Sequence, residues 1–183
     1  ESGAETEYID LYDLDFTGCR SCLICKLKDK EHCHCYWKDD LSPVIDRILG
    51  ADALIIGSPI YFGQPTAEYR ALYERLLFCV LSYEDFTTYF DGHVDVGMVF
   101  LVIPPCPGRP EQAYRPILSV QEQTYGKLGG NLDVLPVCNT LQVKDYVKYA
   151  MSGFDAAAKQ KHHDEHFPAD LQAAFDLGKR LGA

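Results

Sequence analysis

The chain has 183 residues, 24% of them charged and 47% hydrophobic, a composition that fits one globular domain able to bury its own core without disulfides. A formal net charge of −10 argues against a nucleic-acid partner, because a phosphate-tracking surface needs clustered Lys and Arg. No apolar run approaches the ~20 residues of a membrane span, and the opening ESGAETEYIDLY lacks the charged start and apolar stretch of a signal peptide.

In chain order, Glu7 to Tyr12 alternates apolar and polar residues and predicts a short strand. From about 13 to 37 there is no sustained period, so a structured, cysteine-rich loop is expected. Asp39 and Asp40 then precede LSPVIDRIL, a helix with acidic residues at its positive end and Gly50 as its stop. Ala53 to Ile56 is a continuous apolar run, the pattern of a strand covered on both faces. Thr66 to Leu81 predicts an amphipathic helix, Val94 to Ile103 a second buried strand, and Glu111 to Leu128 a helix ended by Gly129-Gly130. Leu132 to Val137 predicts a third core strand, and Pro168 opens a last helix through Leu181. Alternating strands and helices predict an α/β domain, a doubly wound parallel sheet with helices on both faces, spanning residues 1–183. Ligands of such sheets bind beyond the carboxyl ends of the strands, which directs attention to the cysteine loop, to Ser58–Pro65 and to Pro104–Pro110.

Eight cysteines stand out. Five fall in GCRSCLICKLKDKEHCHCYWKDDL, as Cys19, Cys22, Cys25, Cys33 and Cys35, while Cys79, Cys106 and Cys138 are scattered. Secreted disulfide scaffolds are short and spread their cysteines; clustering in a chain with a good core points to a metal site in a reducing compartment, hence a cytoplasmic protein. Cys19, Cys22 and Cys25 form a C-x2-C-x2-C run, the spacing that wraps one loop around an iron–sulfur cube, with a fourth thiolate from Cys33 or Cys35. Four thiolates also hold structural zinc, and unligated loop thiols are the bland alternative. Lys26, Lys28 and Lys30 read as solvated, and HHDEH (162–166) as a charged turn rather than a metal site. Downstream, GSPIYFG (57–63) places small residues and two aromatic rings after a buried strand, a composition suited to backing and stacking on a planar ligand.

These two segments, in this order, resemble the NAD(P)H-dependent FMN reductase and iron–sulfur flavoprotein family, whose fold is flavodoxin-like. The first is similar to that family's C-x2-C-x2-C-x(n)-C-x3-D-D element and the second to its G-S-P-x-Y-F-G stretch; FPADLQAAFDLGKRL is similar to its closing helix. The resemblance implies that Ser58, Pro59, Ile60, Tyr61, Phe62 and Gly63 face the flavin ring of FMN. It implies that Cys19, Cys22 and Cys25 are the first three ligands of a [4Fe–4S] cluster, in preference to zinc. Counting back from Asp39-Asp40 selects Cys35 as the fourth, whereas loop length selects Cys33; Cys35 is preferred because the helix start is the firmer anchor. Cys106, in the loop PPCPGRP, is a further candidate beside the ring, and Arg109 a weak one for a dinucleotide phosphate. The resemblance further implies an electron-transfer oxidoreductase with NAD(P)H or a ferredoxin-type donor, assembled as a homodimer or homotetramer. The family's first strand and its phosphate loop precede Glu7 and are expected to be missing here. An FMN reductase without a cluster and a non-enzymatic redox-sensing module are the rival readings.

Overall fold

Leu41, Val44, Ile45 and Ile48 recur at the spacing of one helical face, and all four are buried. They belong to helix α1 (Leu41–Leu49), which ends at Gly50 as its sequence predicts. The computed structural model describes residues 3–103, 119–121 and 123–182. The expected loop Pro104–Pro110, with Cys106 and Arg109, and the helix expected from Glu111 through residue 118 lie outside the described residues.

Strand β1 (Ala53–Tyr61) continues five residues beyond the apolar run that predicts it. Phe62 and Gly63, with φ of +50° and +79°, reverse the chain into β2 (Gln64–Pro65), which pairs antiparallel with β1 through Tyr61 opposite Gln64. Positive φ at both central residues is the geometry of a two-residue hairpin turn, normally filled by Asn and Gly. Helix α2 (Ala67–Val80) follows, its start fixed by Thr66, whose Oγ1 accepts the Tyr69 N–H at 3.3 Å. Strand β3 (Val94–Val102) lies parallel to β1, and β4 (Gly129–Cys138) parallel to β3, giving the order β2-β1-β3-β4. Between β3 and β4, residues 119–121 and 123–125 are helical.

Ile56, Ser58 and Ile60 of β1 and Val94, Val96, Met98, Phe100 and Val102 of β3 are buried on the sheet face that packs with α1 and α2. The opposite face carries helix α3 (Ala156–Leu181), where Leu177 and Leu181 lie over Gly97 and Gly178 over Ile55. Helices therefore cover both faces, as in a flavodoxin-like α/β fold. Among the described residues, no helix is long and apolar enough to cross a membrane.

A Cβ on Gly130 would lie 2.1 Å from the Val94 carbonyl oxygen, so β4 can approach β3 there only as glycine. Gly130→Ala is expected to cost more than about 1 kcal/mol, because a backbone atom rather than a movable side chain is in the way. A urea titration checks this: the midpoint falls while the slope stays unchanged.

Two expectations are corrected. Glu7 to Tyr12 forms no strand; Leu11–Asp13 is a 3-10 turn, started by Asp10, whose carboxylate accepts the Tyr12 N–H at 3.0 Å. Alternation supplies no ladder partner, and a local side-chain bond to the backbone competes with extended pairing. Pro168 does not open the last helix, which starts at Ala156 behind the Asp155 cap and keeps the proline inside it. The His run is accordingly helical, with His162 stacked on His166 and His163 on Phe167.

Candidate cofactor site

Cys19, Cys22, Cys25 and Cys35 line one cavity, together with Gly18, Arg20, Trp37, Arg75, Phe78 and Cys79. The loop reaches this shape through left-handed residues on either side of Cys22, Ser21 at φ +53° and Leu23 at φ +59°. Each costs roughly 1–2 kcal/mol for a non-glycine residue, and such strain gathers where a loop must present side chains inward. Cys22 is exposed, Cys25 is buried, and Cys19 and Cys35 are half-buried. Burial pushes the Cys25 thiol up, opposed by Lys26 and reinforced by Cys35, Cys22 and Cys19. A metal taken up here therefore has to displace a proton from that thiol.

Cys33 behaves differently. It is absent from the cavity lining, its backbone is left-handed at φ +60°, and its thiol is raised by burial, with Lys26 lowering it and Asp91 and Glu31 raising it. Among the described residues, no three His, Cys, Asp or Glu side chains converge tightly enough to hold a single metal ion. The four cavity cysteines thus surround a space without meeting at one point.

Arg75 closes the inner wall. It is 2% exposed, and its Nε and Nη2 donate to Cys35 Sγ at 3.3 and 3.2 Å. Nη1 pairs with Asp39 Oδ2 at 2.5 Å. Asp39 Oδ1 in turn accepts the Leu41 and Ser42 N–H groups at 3.1 and 3.3 Å, capping α1. Asp40 Oδ2 accepts the Asp15 N–H at 2.8 Å. The Asp-Asp pair therefore fixes both the helix start and the loop before it, and the Ser42 hydroxyl donates to the Cys35 carbonyl. Sequence reasoning missed Arg75. Its signal was a charge on the stripe Leu72, Arg75, Leu76, Cys79 of a helix whose stripe is otherwise apolar.

Lys26, expected to be solvated, instead donates to the carbonyls of Phe78, Cys79 and Leu81 at the end of α2. A cation at a helix C-terminus meets unpaired carbonyls and the negative end of the dipole. Its Nζ also lies 4.8 Å from the Phe78 ring centroid, 5.7 Å from that of Tyr83 and 5.5 Å from that of Tyr89. Burial lowers its pKa.

The second segment sits at the carboxyl end of β1. Ser58 and Ile60 are buried; the Ser58 hydroxyl donates to Pro59 O at 2.9 Å and accepts the Thr66 N–H at 3.1 Å. Pro59 is half-buried, whereas Tyr61, Phe62 and Gly63 are exposed. Tyr12 reaches the same edge, where the Glu68 carboxylate beside its phenol, with burial adding a smaller part, holds it above its ordinary value. The segment thus divides into a buried half that ties β1 to α2 and an exposed half bearing two rings.

A parallel sheet with an aromatic turn at its carboxyl edge and a cysteine cavity against α2 defines a flavodoxin-like scaffold. The family model for NADPH-dependent FMN reductase matches residues 1–99, and the chain belongs to that family. An iron-sulfur flavoprotein of Methanocaldococcus jannaschii is 37% identical over 75 residues, covering 41% of this chain and 37% of the relative. Iron-sulfur flavoproteins of Archaeoglobus fulgidus and Methanosarcina thermophila are 30% identical over 119 residues and 28% over 75, covering 65% and 41% of this chain and 56% and 37% of the relatives. The matches thus span less than two thirds of the relatives' own lengths.

Proposed function

We propose that this protein is an FMN-dependent oxidoreductase that passes electrons between FMN and a [4Fe–4S] cluster held by Cys19, Cys22, Cys25 and Cys35. The observation that carries this is the shared cavity of those four cysteines, walled by a buried guanidinium, on the scaffold of the FMN reductase family. The relatives named iron-sulfur flavoproteins support the same reading.

FMN would supply hydride acceptance and single-electron release; this chain's residues would position it. Tyr61 and Phe62 offer stacking faces, and Gly63 leaves room beside them. Ser58, Pro59 and Ile60 hold the turn from beneath, and Cys106 is retained as a candidate at the ring. The donor set suits iron–sulfur chemistry, with four thiols and a buried cation against a negatively charged thiolate group. The free cavity, about 20 Å³, holds one water-sized atom, so a cluster would need more room than the loop leaves in this structure. NAD(P)H or a ferredoxin-type protein is the proposed donor, in a homodimer or homotetramer of a reducing, cytoplasmic compartment.

Anaerobic purification followed by an absorption spectrum and assays for flavin, iron, acid-labile sulfide and zinc tests this. Flavin with iron and sulfide is the expected result. Zinc with flavin would reduce the cysteine loop to a structural element, and absence of both flavin and iron would overturn the proposal.

A further inference from the structure

Arg75 makes five hydrogen bonds from one buried guanidinium. Two go to Cys35 Sγ, at 3.3 and 3.2 Å, one to Asp39 Oδ2, and one each to the carbonyls of Thr17 and Trp37, at 3.3 and 3.2 Å. That accounts for all five N–H donors of the side chain, so its orientation is fixed. Among the described residues, no other cavity cysteine has a cationic side chain hydrogen-bonded to its Sγ. The side chains of Arg75 and Asp39 are 1% and 11% exposed, so solvent screens the interaction with Cys35 little.

We infer that Arg75 is a positioning residue that sets the reduction potential of the metal centre through its two hydrogen bonds to Cys35. The inference rests on the proposal that Cys35 is a cluster ligand. Adding an electron to a thiolate-held cluster increases its negative charge, and hydrogen bonds to the sulfurs are among the features that tune cluster potentials. A fixed, buried cation donating to one ligand sulfur stabilises the reduced form more than the oxidised form and so raises the potential. The same guanidinium, anchored by Asp39, holds the Cys35 side chain at the cavity wall.

The test is a redox titration of the purified holoprotein, followed spectroscopically, for wild type, Arg75→Lys and Arg75→Gln. Iron and sulfide content is measured on each sample. Arg75→Gln removes the cation and is expected to shift the reduction equilibrium at least tenfold toward the oxidised form, which is 59 mV for a one-electron couple. Arg75→Lys keeps the charge but loses the fork, and is expected to shift it in the same direction by less. If Arg75→Gln fails to fold because Asp39 is left unpaired, Arg75→Lys carries the test alone. A purely structural role would change folding yield or iron content and leave the potential of loaded protein in place. Unchanged potentials in fully loaded variants would overturn this inference while leaving the cluster assignment standing. A wild type lacking iron and sulfide would overturn the cluster assignment, and this inference with it.

Discussion

Cys25→Ser and Cys35→Ser are expected to purify without iron and sulfide, whereas Cys33→Ser is expected to retain both at the wild-type ratio. The contrast follows from where the three sulfurs lie. Cys25 and Cys35 face one cavity with Cys19 and Cys22, and their charges interact at Cys25. Cys33, two residues from Cys35, is absent from that lining and has Lys26, Asp91 and Glu31 for electrostatic neighbours. A thiolate ligand is lost on replacement by serine, while a bystander thiol is dispensable. Parallel iron and sulfide assays on the three variants decide it. Loss of the cluster in Cys33→Ser with retention in Cys35→Ser would reverse the assignment of the fourth ligand.

Asp39→Ala is expected to destabilise the protein by about 3–5 kcal/mol, the scale for stranding one member of a buried ion pair. Arg75 would remain in place with its charge uncompensated, and α1 would lose the carboxylate that receives the Leu41 and Ser42 N–H groups. The second loss is worth about 1 kcal/mol by itself, and the two will not add because one side chain serves both. Arg70→Ala is the control. It breaks the Arg70–Glu74 pair, whose side chains are 59% and 37% exposed, and an exposed pair of this kind contributes at most about 1 kcal/mol. Urea midpoints for the two variants give the comparison. An Asp39→Ala protein within about 1 kcal/mol of wild type would show that the pair carries no such energy.

The elements legible in the sequence were those whose pattern is local. Helix α1 announced itself by Leu41, Val44, Ile45 and Ile48, and α2 by a capping threonine and a long apolar stripe. Strand β1 read from the unbroken apolar run Ala53 to Ile56, and β3 and β4 from mainly apolar stretches interrupted by Asp95 and Asp133, since both sheet faces are covered. What stayed hidden depended on partners far along the chain. Glu7–Tyr12 has a strand's alternation but no ladder to join, and Asp10 takes the Tyr12 N–H instead. Pro168 carries a helix-start signal, yet the Asp155 cap twelve residues before Phe167 had already started the helix. In the site, the cysteine spacing named the loop, and the choice of Cys35 over Cys33 leaned on the Asp39-Asp40 helix start. The side chain that hydrogen-bonds Cys35, the guanidinium of Arg75, lies forty residues away and could not be paired with it from spacing. The GSPIYFG segment was legible as a unit, whereas its division into a buried Ser58 and an exposed Phe62 depends on the turn at Phe62-Gly63.

The ammonium of Lys26 ties the cysteine loop to the helix it packs against. The carbonyls of Phe78, Cys79 and Leu81 converge on one donor only once the last turn of α2 has formed. The loop is thereby tied to the end of α2 through contacts that involve no cysteine sulfur. Of the cavity cysteines in that loop, Cys22 is the exposed one and Cys25 the buried one.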